Sequence, residues 1–171
     1  MRNLSMQREW AMPDKNTFQI KPIRKLLDSY VKEGKEWADP FAGSHSPATM
    51  TNDLDPEAPT VFHMEALEFL QKMRRSSMDG VLFDPPYSPR QVSESYKRFG
   101  LTVNIATTQS SYWRKLKDEV HRVVKKGGIV ISFGWNTNGM GKTRGYEMLE
   151  VLLVAHGGAH NDTICVVEKK V

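Results

Sequence analysis

Apolar residues recur along this chain with two different periods, and the order of those periods outlines a fold. Downstream of Pro22, residues Ile23, Leu26, Leu27, Tyr30 and Val31 share one helical face, with proline in the first turn and Gly34 just past the end. Ala66, Phe69, Leu70 and Met73 mark a second helix. Trp113, Leu116, Val120, Val123 and Val124 mark a longer third one, which Lys125, Lys126 and Gly127 are placed to terminate. Between these lie short runs that suit strands: Glu36 to Asp39, Ala48 to Asp53, Val61 to Met64, Val81-Leu82-Phe83, and Gly128 to Phe133. Short apolar runs bounded by turn residues are typical of parallel strands covered on both faces. The chain closes on two longer strand-like runs, 146 to 156 and 163 to 171, around a Gly/Asn/Asp loop, the pattern of an antiparallel hairpin. Three segments carry no period. Residues 1 to 10 read as a loose leader, 88 to 111 as a long polar loop, and 134 to 145 as a glycine-rich loop.

Strands alternating with helices predict an α/β domain, with a mainly parallel, doubly wound sheet and a C-terminal antiparallel hairpin. Residues 11 to 171 are expected to form that single domain, with no separate module for target recognition. In such sheets ligands bind at the carboxyl ends of the strands. Asp39-Pro40-Phe41, Asp53, Glu65 and Asp84-Pro85-Pro86-Tyr87 all fall at or just after predicted strand ends, so the candidate chemistry converges on one rim.

Charge changes this picture little: 24 Lys and Arg against 20 Asp and Glu give a net charge of +4, compatible with a polyanionic partner without requiring one. The single cysteine, Cys165, excludes an internal disulfide framework and a multi-cysteine zinc site, and no metal is expected. No apolar run is long enough to span a bilayer and the N-terminus lacks a signal-peptide core, so no membrane is expected and the setting is cytoplasm or nucleoid.

The sharpest chemical signal is Asp84-Pro85-Pro86-Tyr87, directly after the apolar run Val81-Leu82-Phe83. Two prolines fix two φ angles and remove two N–H donors. What remains is a rigid loop rich in acceptors, the Asp84 carboxylate and the Pro85 carbonyl. An exocyclic amino group on adenine or cytosine offers two N–H donors. Two fixed acceptors would hold both hydrogens and orient the nitrogen lone pair, while Tyr87 offers a ring against which an unstacked base can lie. As a bare tetrapeptide the motif is equally a tight turn. Its place after a buried strand and a second matching motif favours function.

With that second motif, Asp39-Pro40-Phe41-Ala42-Gly43-Ser44, the chain resembles the DNA amino-methyltransferases, in particular short phage or prophage adenine methylases. The resemblance covers most of residues 10 to 170. It implies a Rossmann-like class I methyltransferase fold, S-adenosylmethionine as cofactor, and methylation of adenine N6 in DNA, with cytosine N4 or an RNA base as alternatives. In a bacterial host the protein would be phage-encoded. The resemblance further implies that the backbone of Asp39, Pro40, Phe41, Ala42 and Gly43 holds the methionine part of the cofactor. By the same likeness Asp53 holds the ribose and Glu65 the adenine, and Phe18 belongs to an N-terminal cofactor segment, Thr17 to Pro22. His45 stands where the family has glycine. Only 13 residues lie between Asp39 and Asp53, too few for the usual helical crossover, so one turn or an open loop is expected there. A catalytically silent nucleic-acid-binding module is the reading from another class.

Ser88, Arg90, Lys97 and Arg98 after the motif, and Asn136, Lys142 and Arg144 in a mobile glycine-rich loop, are the candidates for DNA contact, because phosphates are mostly met by such side chains. Gly139 to Thr143 invites a phosphate-loop reading, but the glycine spacing fails. His121 is expected on the polar side of its helix, His156 and His160 in turn or surface positions, and Cys165 as a small buried hydrophobe. So short a domain is expected to show relaxed specificity, or to form a homodimer that enlarges its DNA surface.

Overall fold

A computed structural model describes residues 4–100 and 110–171. Its centre is a seven-stranded sheet: β1 (Ser5–Trp10), β2 (Trp37–Asp39), β3 (Met50–Thr51), β4 (Met78–Phe83), β5 (Val124–Gly134), β6 (Tyr146–Ala155) and β7 (Thr163–Lys170). Their order across the sheet is β1-β6-β7-β5-β4-β2-β3, and only β7 runs against its neighbours. Four helices complete the described fold: α1 (Lys21–Tyr30), α2 (Ala66–Lys72), α3 (Pro89–Arg98) and α4 (Ser110–Val123). The expected doubly wound sheet and closing hairpin are both present. No helix among the described residues is long and apolar enough to cross a membrane.

Strand alternation explains the layering. Val81 and Phe83 of β4 point into a cluster with Phe69 and Leu70 of α2 and Leu116 and Val120 of α4. Leu82 points the other way, into a cluster with Ile23, Leu26 and Leu27 of α1 and Phe18 of the short 3-10 turn before it. Each sheet face is thus covered by its own helices, which is why the central strands read as continuous apolar runs. Between β2 and β3 there is no helix, as the short spacing required. Val61 to Met64, read as a strand, contributes only an isolated bridge from Phe62 to Asn52.

Three expectations are corrected. The loose leader is β1, an edge strand paired in parallel with β6 over six residues, and all six are exposed. With no buried face it lacks the apolar-in, polar-out signal of a half-buried strand; backbone pairing and a Gln7–Glu150 side-chain bond at 3.0 Å hold it. The polar segment after residue 88 contains α3, capped by Ser88, whose hydroxyl accepts the Gln91 N–H at 3.2 Å, with Pro89 in its first turn. Residues 101–109 of that expected loop lie outside the described residues. α4 does end just before Lys125, Lys126 and Gly127, but Val124, read as part of its apolar face, opens β5, which includes those three residues and starts before the expected Gly128.

The glycine-rich segment 134 to 145 is also different from a mobile loop. β5 and β6 run in the same direction, so this segment takes the place of a crossover helix and descends the length of the sheet. It is tied down on the way. Glu168, buried in β7, accepts the N–H of Met140 and, at 3.0 Å, that of Gly141. Lys117 of α4 donates to the carbonyls of Asn138 and Gly139 at 2.9 and 2.7 Å. Arg144 pairs with Asp118 at 2.9 Å. Fixed acceptors and donors for backbone groups replace the hydrogen bonds that a helix would have supplied.

The histidines divide. His160 is exposed as expected. His156 is buried, with Nδ1 2.9 Å from the Ala11 carbonyl and Nε2 2.9 Å from the Thr163 hydroxyl. His121 is not on an open face either: its ring packs edge-on against Tyr146 at 5.8 Å. Cys165 is fully buried, as read.

Candidate active site

Ala38 lies level with Val81, and Phe83 with Ser132, so the ends of β2, β4 and β5 share one rim. Asp39 ends β2 and Asp84 follows β4; Asp53 follows β3. Asn52, fully buried between them, organises the rim. Its side chain donates to the carbonyls of Pro40 and Met64 at 3.1 and 2.9 Å and accepts the Met64 N–H at 3.1 Å. Its backbone links the Asp39 carbonyl and the Ala42 N–H, both at 2.9 Å. One amide therefore fixes the Pro40 to Ala42 turn relative to Glu65.

A cavity of about 500 Å3 opens on this rim, lined by Pro40, Phe41, Asp53, Glu65 and all of Asp84 to Tyr87. A second recess of about 100 Å3 is lined by Phe18, Ala42, Gly43, Ser44 and His45. Thr17, Phe41 and Asp84 line both. The two sequence motifs thus meet, with Asp84 in the wall that both spaces share. Gly43 has φ +55° with open space around its α-carbon, a conformation few other residues adopt and one that leaves the loop backbone accessible.

Two carboxyls of the rim are pushed upward. Asp39 is fully buried and rises to about 7, mainly through burial; hydrogen bonds from the Ser46 hydroxyl at 2.6 Å and the Phe41 N–H at 3.0 Å offset part of this. The nearby charges of Asp84 and Asp53 add to the rise. Its side chain braces the loop from behind; it does not line either space. Asp84, half-buried, rises to about 6, again through burial first, with hydrogen bonds from the Tyr87 and Thr17 hydroxyls opposing the rise. Tyr87 donates its hydroxyl to Asp84 Oδ1, and its own titration is pushed far up by burial and by that carboxylate. Its ring meets Trp135 edge-on at 5.5 Å. Tyr87, expected to offer its face, is turned inward, and the aromatic ring exposed at this rim is Trp135.

The acidic cofactor candidates are both placed on the cavity, each with neighbours. Asp53 accepts the Gly43 N–H and the Asp55 N–H, both at 2.9 Å. Glu65 accepts the hydroxyls of Tyr96 and Tyr112 at 2.6 and 3.4 Å. A carboxylate has about four acceptor positions, so each keeps capacity for a ligand.

The basic candidates scatter. Ser88 is occupied as a helix cap, and Arg90 is exposed and paired with Glu94 at 2.8 Å. Arg98 lines the cavity, whereas Lys97 is exposed on α3. Asn136 is exposed just past β5, near the rim. Lys142 and Arg144 precede β6, whose first residue is level with Lys170, whereas Gly134 is level with Ile164. Those six residues of β7 separate Lys142 and Arg144 from the rim by about 20 Å. They do not share a surface with Asp84. Thr17, from the expected N-terminal cofactor segment, lines the cavity. Gln91, Tyr96, Tyr112 and Trp113 do so without having been singled out, and Trp135 stands against Tyr87; Ser88-Pro89 as a helix start was the available signal for α3.

No protein-family model matches the sequence, and no curated protein matches it. Solved structures do match. TrmN from Thermus thermophilus aligns with a TM-score of 0.58 at 17% identity over 89% of this chain, which spans about half (49%) of TrmN. N-methyltransferase NodS from Bradyrhizobium japonicum WM9 gives 0.57 at 11% identity over 92% of this chain and 99% of NodS. The 1,6-didemethyltoxoflavin-N1-methyltransferase of Burkholderia thailandensis, solved with S-adenosylhomocysteine, gives 0.58 at 10% identity over 88% of this chain and 77% of that one. At these identities the likeness shows the fold alone: the chain has the Rossmann-like fold of class I methyltransferases.

Proposed function

We propose that this protein transfers a methyl group from S-adenosylmethionine to the exocyclic N6 amino group of adenine in DNA. The observation that carries the reading is the position of Asp84, on a rigid Pro-Pro loop and in the wall of both neighbouring spaces. The residues present fit the cofactor. Asp53 and Glu65 offer acceptors for ribose hydroxyls and an adenine amino group, and the Pro40 to Ser44 turn exposes backbone beside the smaller recess. The larger cavity also falls within the volume range of small-molecule sites. When bound, S-adenosylmethionine supplies a methyl group activated by its sulfonium.

The chain's own part is positioning. The ionised Asp84 carboxylate, braced by Tyr87 and Thr17, accepts one amino hydrogen of the target, and the Pro85 carbonyl accepts the other. The nitrogen lone pair is thereby fixed in direction, and alignment of this kind lowers barriers substantially. Trp135, at the rim beside Tyr87, supplies the exposed ring on which an extruded base stacks. Trp135→Ala is expected to weaken DNA binding by about 1–3 kcal/mol, the usual range for losing one base-stacking partner. Titration with S-adenosylhomocysteine should be unaffected, so a DNA affinity equal to wild type would remove Trp135 from the site.

Mass spectrometry of nucleosides, after incubation with S-adenosylmethionine and either DNA or RNA, tests the assignment. N6-methyladenine from DNA is expected. N4-methylcytosine alone, or modification of RNA alone, would reassign the target while keeping the reaction. Absence of cofactor binding in calorimetry, together with retention of DNA, would leave the silent binding module as the better reading.

A further inference from the structure

β1 closes one side of the sheet, and no described strand pairs with its outer edge. Such edges are usually blunted by charged side chains, lysine above all, by proline, a bulge or extreme shortness. Ser5–Trp10 carries Arg8 and Glu9 but no lysine or proline, and its register with β6 is unbroken over six pairs. Seven large apolar side chains are markedly exposed among the described residues, and four of them, Leu4, Met6, Trp10 and Met12, lie in or beside this strand. Alternation puts Leu4, Met6, Arg8 and Trp10 on one side and Ser5, Gln7 and Glu9 on the other.

We propose that a second copy of this chain adds its β1 antiparallel to this edge, with Gln7 facing Gln7 across a two-fold axis. An axis perpendicular to the sheet keeps each residue on the same side in both copies, so only residues of the same parity can face one another. Centring the pairing on Arg8 would set two arginines directly opposite, and centring it on Glu9 two glutamates; like charges so placed destabilise a sheet. Centring on Gln7 gives the longest pairing free of that clash. It sets Leu4 against Trp10 of the second copy, Met6 against Arg8, and Ser5 against Glu9. Within its own chain the Gln7 amide donates to Glu150 of β6 at 3.0 Å, on the side of β1 away from the axis, so its side chain does not crowd the second copy. The inference does not depend on the proposed reaction.

Sedimentation of the full chain at tens of micromolar is expected to show a dimer. Met6→Lys, at an exposed position, sets an ammonium group directly against Arg8 of the second copy at both symmetric places, so it is expected to sediment as a monomer with an unchanged circular dichroism spectrum. Arg8→Glu, which faces Met6 in this register, is expected to remain a dimer. A monomeric wild type overturns the proposal. So does a dimer that Met6→Lys leaves intact, or one that Arg8→Glu dissociates.

Discussion

Replacing Asp84 by asparagine or alanine is expected to lower methyl transfer by about 10²–10³, the loss typical of removing one pre-organised hydrogen-bonding group from a reacting centre. Affinity for S-adenosylhomocysteine should change little, because the acidic residues offered to the cofactor are Asp53 and Glu65. The wild-type rate carries a matching signature in pH. Asp84 titrates at about 6, so the carboxylate is ionised at neutral pH and loses its charge as pH falls through that value. Turnover should therefore decline by about tenfold per pH unit below 6, as for loss of one essential base. Unfolding does not account for the Asp84→Asn result. The folded carboxyl titrates above its ordinary 3.8, so its ionised form opposes folding by about 3 kcal/mol at pH 8. The neutral variant should be at least as stable there. Single-turnover rates with DNA between pH 5 and 8 provide the check; a flat profile, or an active Asp84→Ala, would refute the assignment.

Asp39→Asn is expected to stabilise the protein at pH 8 and to leave its stability near pH 4 unchanged. The Asp39 carboxyl titrates at about 7 when folded and 3.8 otherwise, mainly because it is buried. Between those values the folded state binds more protons than the unfolded one, so this group makes stability fall as pH rises from about 4 to 7, and the loss then levels off. The gap corresponds to about 4 kcal/mol above pH 7. Asparagine can still accept the Phe41 N–H and donate to the Ser46 oxygen, so the turn keeps its bracing. Urea unfolding of both proteins across that pH range measures the difference. Parallel stability curves would show that the Asp39 charge is not held at such a cost.

Much of this structure was readable from residue pattern because its core elements bury one side or both. α1 and α4 present clean apolar stripes, and β4 an unbroken apolar run between two helical layers. What escaped reading lacks a buried face or depends on distant partners. β1 buries nothing, and α3 buries only Val92 and Tyr96 among its described side chains, so neither has a period to detect. His156 reads as a turn residue until the fold brings the Ala11 carbonyl to it from 145 residues away. At the rim, the two motifs were legible because each sits at a strand end. Tyr96 and Tyr112 were not, because only the packing of α3 and α4 delivers them to the same cavity, and only the end of β5 sets Trp135 against Tyr87. The basic residues were misgrouped for the converse reason. Asn136 and Arg144 are close in sequence but occupy opposite ends of the sheet.

That separation has an engineering consequence. The segment from 138 to 145 is fastened by Lys117, Glu168 and Asp118, whereas Trp135 to Thr137 are exposed just past β5, with Trp135 against Tyr87. Extra residues grafted between Trp135 and Thr137 would extend into solvent while the Asn138 carbonyl and the anchored half keep their partners. Given the proposed reaction, this short turn is the place to install a longer loop and alter target choice.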